Sequence, residues 1–109
     1  MKTFKTRYLA LKVECEVEFN KDSFFQKLIE TYLRLYGEYG LSRANLRLLE
    51  FKANFIILSV SHDALPYLRA ALTLIRELDG AKTFIHVLGV SGTVKRVKAK
   101  FLPVDIGKS

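Results

Sequence analysis

Hydrophobic positions alternate from Arg7 onward. Leu9, Leu11, Val13, Cys15 and Val17 fall on one face, and Tyr8, Ala10, Lys12, Glu14 and Glu16 on the other. A period of two predicts a strand over 7–17 with one buried side. The spacing then changes. Phe25, Leu28, Ile29, Tyr32, Leu33 and Tyr36 recur at i, i+3, i+4 and i+7, which predicts an amphipathic helix ended by Gly37. Asn20, Asp22 and Ser23 all suit its N-cap, and Ser23 with Gln26 fits a capping box. The aromatics of this helix read as core, and GEYGLSR (37–43) reads as a loop.

Two β-rich runs follow, 45–52 and 55–61, separated by Ala53-Asn54 alone. So short a gap predicts a hairpin, and the nearly unbroken apolar second run predicts a central strand. Asp63 or Ser61 can cap a second helix with Pro66 in its first turn. Leu65, Leu68, Leu72 and Ile75 supply its buried stripe, Ala64 and Ala71 allow close packing, and Asp79-Gly80 stops it. Residues 83–90 read as a fourth strand. Val94, Val97 and Phe101 lie at i, i+3 and i+7, giving a short amphipathic helix over 93–102, ended before Pro103. The order β-α-β-β-α-β predicts an α+β, ferredoxin-like (RRM-like) fold. Its four-stranded antiparallel sheet carries two helices on one face, plus a short C-terminal basic helix. At 109 residues, half of them hydrophobic, the expectation is one domain, 1–109, with a real core.

Charge changes the picture by its placement. The net charge is +7. Residues 1–12 hold Lys2, Lys5, Arg7 and Lys12 without an acid, and residues 88–109 hold Lys95, Arg96, Lys98, Lys100 and Lys108 against Asp105. The stretch between has nine cations against ten acids. Cations gathered at both ends point to a polyanionic partner if the ends meet in space; solvated basic termini are the competing reading. No uninterrupted apolar stretch approaches the roughly 20 residues of a membrane span, and the charged N-terminus is unlike a signal peptide. A cytoplasmic protein is expected.

Little in the chain suggests catalysis. One cysteine, Cys15, excludes an intrachain disulfide and a Cys-rich zinc site. It reads as a small buried hydrophobe. His62 and His86 each lack a partner at metal-ligand spacing, and a capping or partly buried role suits them. Glu14, Glu16 and Glu18 read as a solvated face. Gly89-Val90-Ser91-Gly92 resembles a nucleophile elbow but has Thr93 where that motif needs glycine. The signatures of a P-loop and of a dinucleotide fold are missing. The expectation is no catalytic residue, no metal ligand and no cofactor bound by this chain.

The segment LGVSGTVKRVKAKF (88–101) invites another use. Ser91 can cap the helix, and Gly92 lets a ligand approach the backbone. The free N–H groups that follow favour phosphate. If Val94, Val97 and Phe101 seat the helix, Lys95, Arg96, Lys98 and Lys100 project outward at fixed spacing, which suits a phosphate backbone. Base stacking on the sheet looks poor by comparison. Strand one offers Tyr8, Ala10 and Lys12 on its open face and strand three offers Phe55, Ile57 and Ser59, without the paired solvent-facing aromatics of an RNA-recognition motif. An apolar open face is better explained as seating a helix or a partner protein.

RYLALKVE, LRAALTLI and above all VLGVSGTVKRVKAKFL resemble the archaeal form of the Pop-five family, the ribonuclease P protein component 2. The resemblance runs over about 7–102 and is weakest from the first helix to the second strand. It implies an RNA-binding, non-catalytic subunit of ribonuclease P, the ribonucleoprotein that matures precursor-tRNA 5′ ends, with chemistry done by the RNA and Mg²⁺. It implies as partners the ribonuclease P RNA and the TIM-barrel-like component 3, with this subunit doubled as a self-dimer inside a heterotetramer. The candidate RNA contacts are then Ser91, Gly92 and Thr93 as backbone approach points and Lys95, Arg96, Lys98 and Lys100 as charges. Lys2, Lys5 and Arg7 form a second patch. The alternatives are a ferredoxin-like protein-interaction or ligand-sensing module without RNA, and more distantly a hydrolase using Ser91.

Overall fold

A computed structural model describes residues 5–101. Lys2 of the candidate patch lies outside them. Strand β1 spans Thr6–Cys15, β2 Arg47–Lys52, β3 Phe55–Ser61, β4 Glu77–Leu78 and β5 Ala81–Ser91. All pair antiparallel, in the order β2-β3-β1-β5-β4. Helix α1 spans Lys21–Ala44, α2 Leu65–Leu74 and α3 Val94–Phe101. The expected β-α-β-β-α-β order is therefore present, with β1 and β3 central. The sheet, however, has five strands rather than four.

The fifth comes from a shorter second helix. α2 ends at Leu74, and Ile75 is already extended (ψ 104°). Asp79-Gly80, taken from the sequence as the helix stop, instead turns a hairpin between β4 and β5. Both residues have positive φ (51° and 81°), and Glu77 pairs with Lys82 and Leu78 with Ala81. Two positive φ values in a two-residue loop match the twist of the flanking strands. Ala53 and Asn54 (φ 50° and 70°) turn the β2–β3 hairpin in the same way. β1 stops at Cys15, two residues early, and Val17 is exposed.

The first helix also departs from expectation. Asn20 is its cap, accepting the Ser23 amide at 2.7 Å, so the Ser23–Gln26 box is not used. Its buried positions are Phe24, Leu28, Tyr32 and Ala44; of the predicted stripe, Leu28 and Tyr32 are buried, Phe25, Ile29 and Tyr36 are half-buried and Leu33 is exposed. Gly37 does not end it. The residue adopts φ 77°, ψ 177°, a conformation essentially restricted to glycine. The chain kinks there and resumes as helix to Ala44, so GEYGLSR is not a loop. Gly40, one turn on, has no room for a Cβ, which would lie 2.8 Å from the Tyr36 Cβ.

Two apolar layers result. On one face Leu9, Leu11 and Val13 of β1 and Ile56, Leu58 and Val60 of β3 pack against α1 and α2. Cys15 is half-buried at the margin of this layer, and the Thr83 hydroxyl donates to its Sγ at 3.3 Å. On the other face Ala10, Ile57 and Val97 form a smaller fully buried cluster, flanked by Tyr8, Phe55 and Leu88. A β-bulge opposite Ala10/Leu11 makes this possible, because Gly89 pairs with Ala10 but Val87 with Leu11. The extra residue, Leu88, reaches the second cluster, while Val87 and Val90 pack with the main core. The open face does seat a helix, and that helix is α3.

Candidate nucleic-acid interface

β5 ends at Ser91, and α3 begins three residues later. Between them Gly92 and Thr93 are exposed. The N-cap of α3 is Thr93, not Ser91. Thr93 Oγ1 accepts the Arg96 amide at 3.2 Å, and the Thr93 carbonyl accepts the Val97 amide at 3.1 Å. Ser91 belongs to the strand. It is 9% exposed and pairs with Tyr8, and its Oγ accepts the Thr93 amide at a long 3.5 Å. Helix geometry leaves the Val94 and Lys95 amides without intrahelical acceptors, at the end where the helix dipole is positive.

Val97 anchors α3 and is fully buried, while Val94 is half-buried. The Phe101 side chain, the third predicted anchor, lies outside the described residues. Lys95, Arg96 and Lys100 project into solvent as expected. Lys98 does not project freely. It is half-buried and forms an ion pair with Glu50 of β2. So three of the four helix cations are available to a ligand, and the fourth ties α3 across the sheet.

The described parts of the two basic ends do meet. Tyr8 of β1 lies opposite Ser91, so the start of β1 runs beside the turn into α3. A Cβ placed on Gly92 would lie 3.8 Å from Arg7 Nη1, and that nitrogen donates to the Thr6 carbonyl at 3.2 Å. The Arg7 guanidinium is thus fixed beside the exposed backbone of Gly92. The exposed Lys5 continues along the same edge, and its carbonyl accepts the His62 amide at 2.8 Å. Gly92 needs neither a positive φ nor a steric vacancy within the fold.

His62 is exposed where β3 meets a single 3-10 turn, His62–Ala64. His86 is exposed, not partly buried, and its Nε2 contacts Glu14 Oε2 at 2.6 Å across the open sheet face. Among the described residues no group of three or more His, Cys, Asp or Glu could hold a metal ion, and no helix is long and apolar enough to cross a membrane.

Two features escaped the sequence reading. One is Phe84, 55% exposed on the open face of β5, with Lys82 Nζ 5.7 Å from its ring centre. Alternation in TFIHVLGV (83–90) already puts Phe84 and His86 on that face. The other is a groove of about 960 Å³ on the helical side, lined by Tyr32, Tyr36, Tyr39, Tyr67, Arg43 and Asp63. The Tyr36 ring lies 4.7 Å from Tyr32 and 5.2 Å from Tyr67, and its hydroxyl donates to the Tyr67 carbonyl at 3.3 Å. Arg43 donates to the Tyr39 hydroxyl at 2.9 Å. Burial first, then the neighbouring Tyr36 and Tyr67, raise the Tyr32 phenol above its ordinary pKa. The resumption of α1 after Gly37 brings Tyr39 and Arg43 to this groove.

Comparison with known proteins gives the family. The chain is 39% identical over 100 residues to ribonuclease P protein component 2 of Pyrococcus furiosus, covering 90% of this chain and 83% of that one. It is 35% identical to the component 2 of Methanocaldococcus jannaschii, covering 92% and 75%. A chain in the cryo-EM structure of yeast ribonuclease MRP shares the fold, with a TM-score of 0.62 at 18% identity over 85% of this chain and 79% of that one. The family model matches residues 7–102, from Arg7 through the basic helix, and the chain belongs to the Rpp14/Pop5 family.

Proposed function

We propose that the chain is an RNA-binding, non-catalytic protein subunit of ribonuclease P, acting in 5′ maturation of precursor tRNA. Family membership supports the subunit role. The observation that carries the RNA contact is the convergence of Arg7 on Gly92 at the start of α3. The fixed cations Lys95, Arg96 and Lys100, with Arg7 and Lys5, border an exposed backbone that a phosphate can approach. Ser91 supports this turn from within the sheet and Thr93 caps the helix. Lys98 acts through Glu50 as a tether, and Lys2 adds a further positive charge to the N-terminal segment.

A folded catalytic RNA crowds phosphates together, and their repulsion opposes its active geometry. Cations held at fixed positions on a protein lower that cost and reduce the demand for free Mg²⁺, the ion the RNA uses. The protein partners, component 3 and a second copy of this chain, have a separate surface available. Tyr39 (73% exposed), Tyr67, Leu33, Leu35 and Leu74 lie on α1 and α2, away from α3. The cytoplasm, where precursor tRNA is processed, is the proposed location.

Reconstitution tests the proposal. The chain, its protein partner and a ribonuclease P RNA are combined, and precursor-tRNA cleavage is followed as Mg²⁺ is lowered. The expected result is cleavage at Mg²⁺ concentrations where RNA alone is inactive, lost when Arg7, Lys95, Arg96 and Lys100 are replaced by alanine. An unchanged Mg²⁺ requirement with and without the chain contradicts the proposal.

A further inference from the structure

α3 crosses only part of the open sheet face. It covers Ala10 and Ile57, but where β1 ends and β5 begins the face stays exposed among the described residues. Phe84 lies there with Lys82 beside its ring. Lys12 is opposite His86 on β5 and opposite Phe55 on β3, with its Nζ 5.9 Å from the half-buried Phe55 ring. Lys52 pairs with Phe55 from the β2 side. Glu14, opposite Phe84, is engaged by His86. The sector thus holds two aromatic rings and three exposed lysines against two carboxylates, Glu14 and the exposed Glu77, which β4 sets opposite Lys82.

Strand spacing puts the two phenylalanine positions about 12 Å apart, two strands across and two residues along. A large ring left half in water beside a cation suits a ligand that is itself flat and anionic. Lys12 and Lys82 can each meet a phosphate while keeping contact with a ring, the exposed Lys52 adds a third charge, and a base can lie on the ring whatever its sequence. A protein partner would favour an apolar, charge-depleted patch instead.

Building on the RNA-binding reading above, we infer that this bare sector of the sheet is a second RNA site. It takes an unpaired nucleotide, with its base stacked on Phe84 and its flanking phosphates on Lys12, Lys52 and Lys82. The basic edge at Gly92 and α3 takes backbone phosphate without regard to base exposure. The two sites lie at opposite ends of β5 and divide the recognition of paired and unpaired RNA.

The chain contains no tryptophan, so Phe84→Trp in the full chain provides both a stacking platform and a single fluorescent reporter. A uridine-rich single strand and a blunt RNA duplex are titrated in parallel, with binding followed independently by anisotropy of labelled RNA. The expected result is quenching of the introduced indole by the single strand and little quenching by the duplex. Phe84→Ala is expected to bind the single strand roughly tenfold more weakly, within the about 1–3 kcal/mol per stacked base found by alanine substitution, with duplex binding unchanged. Phe84 is more than half exposed, so both variants are expected to melt like the parent. Binding of both RNAs without quenching, and unaffected by Phe84→Ala, overturns the inference and leaves the basic edge standing. Binding of neither RNA overturns both readings. A concentration-dependent blue shift of the indole emission without RNA would identify a protein-docking face and overturn the inference alone.

Discussion

Seating α3 is what turns its lysines from a solvated tail into a fixed array, and Val97→Ala tests that step without altering any charge. Val97 is fully buried against Ala10 and Ile57. Removing two methyl groups forfeits about 1.6 kcal/mol of transfer free energy at roughly 0.8 per carbon. A residual cavity brings the total to about 2 kcal/mol. An eight-residue helix has little stability of its own in water, so the loss falls on docking of α3 rather than on the β1–β3–β5 core. The Lys98–Glu50 pair, partly exposed on both sides, contributes at most about 1 kcal/mol and does not replace it. At 1.4 kcal/mol per factor of ten, α3 should open about thirtyfold more often. Hydrogen exchange should show this as faster exchange of the amides of 97–101 with β1 and β3 still protected, and affinity for a structured RNA should fall although every cation is present. If α3 opens and RNA affinity does not change, the argument from rigid placement is wrong.

Gly92→Ala separates fold from ligand. Among the described residues the new methyl would meet Arg7 Nη1 at an ordinary 3.8 Å, so the melting temperature should hold while RNA affinity drops; unchanged affinity would mean no phosphate approaches that backbone. Gly40→Ala should do the reverse. Its Cβ would crowd the Tyr36 Cβ at 2.8 Å. An overpacking cost of about 1–3 kcal/mol exceeds the roughly 1 kcal/mol that alanine gains in helix propensity, so thermal melts should show a fall in Tm with RNA binding on the α3 edge intact. Tyr32 gives a pH signature. Its pKa is raised in the folded protein, so the folded state holds its proton more tightly than the unfolded chain does. Stability should hold below pH 10.0 and fall as pH rises from there through the higher folded value. Denaturant titrations against pH, with Tyr32→Phe as control, measure that slope.

The fold was largely legible because two signals agree along most of the chain. Alternation in β1 and the apolar run of β3 identify the central strands, and the spacing of Leu68 and Leu72 identifies α2. The errors share a cause: turn residues do not say what they join. Gly37 reads as a stop, yet glycine also permits a kink from which the helix resumes. Asp79-Gly80 fits a helix end as well as a two-residue hairpin, and pairing with Ala81–Lys82 decides between them. The site divides in the same way. The basic helix and its buried side are readable from Val94, Val97 and the surrounding lysines. The Lys98–Glu50 pair, the position of Arg7 beside Gly92 and the cap at Thr93 are tertiary facts, because they join residues far apart in sequence or depend on where a strand ends.

The salt dependence of RNA binding tests the central claim most directly. Affinity for ribonuclease P RNA is measured across a range of monovalent salt for the parent and for Lys95→Ala/Arg96→Ala/Lys100→Ala. Three fewer phosphates neutralised, at about 0.7–0.9 each, predict a slope shallower by roughly 2–3 in log affinity against log salt, with the melting temperature unchanged because all three side chains are exposed. A folded triple variant whose slope matches the parent would show that α3 does not face the RNA.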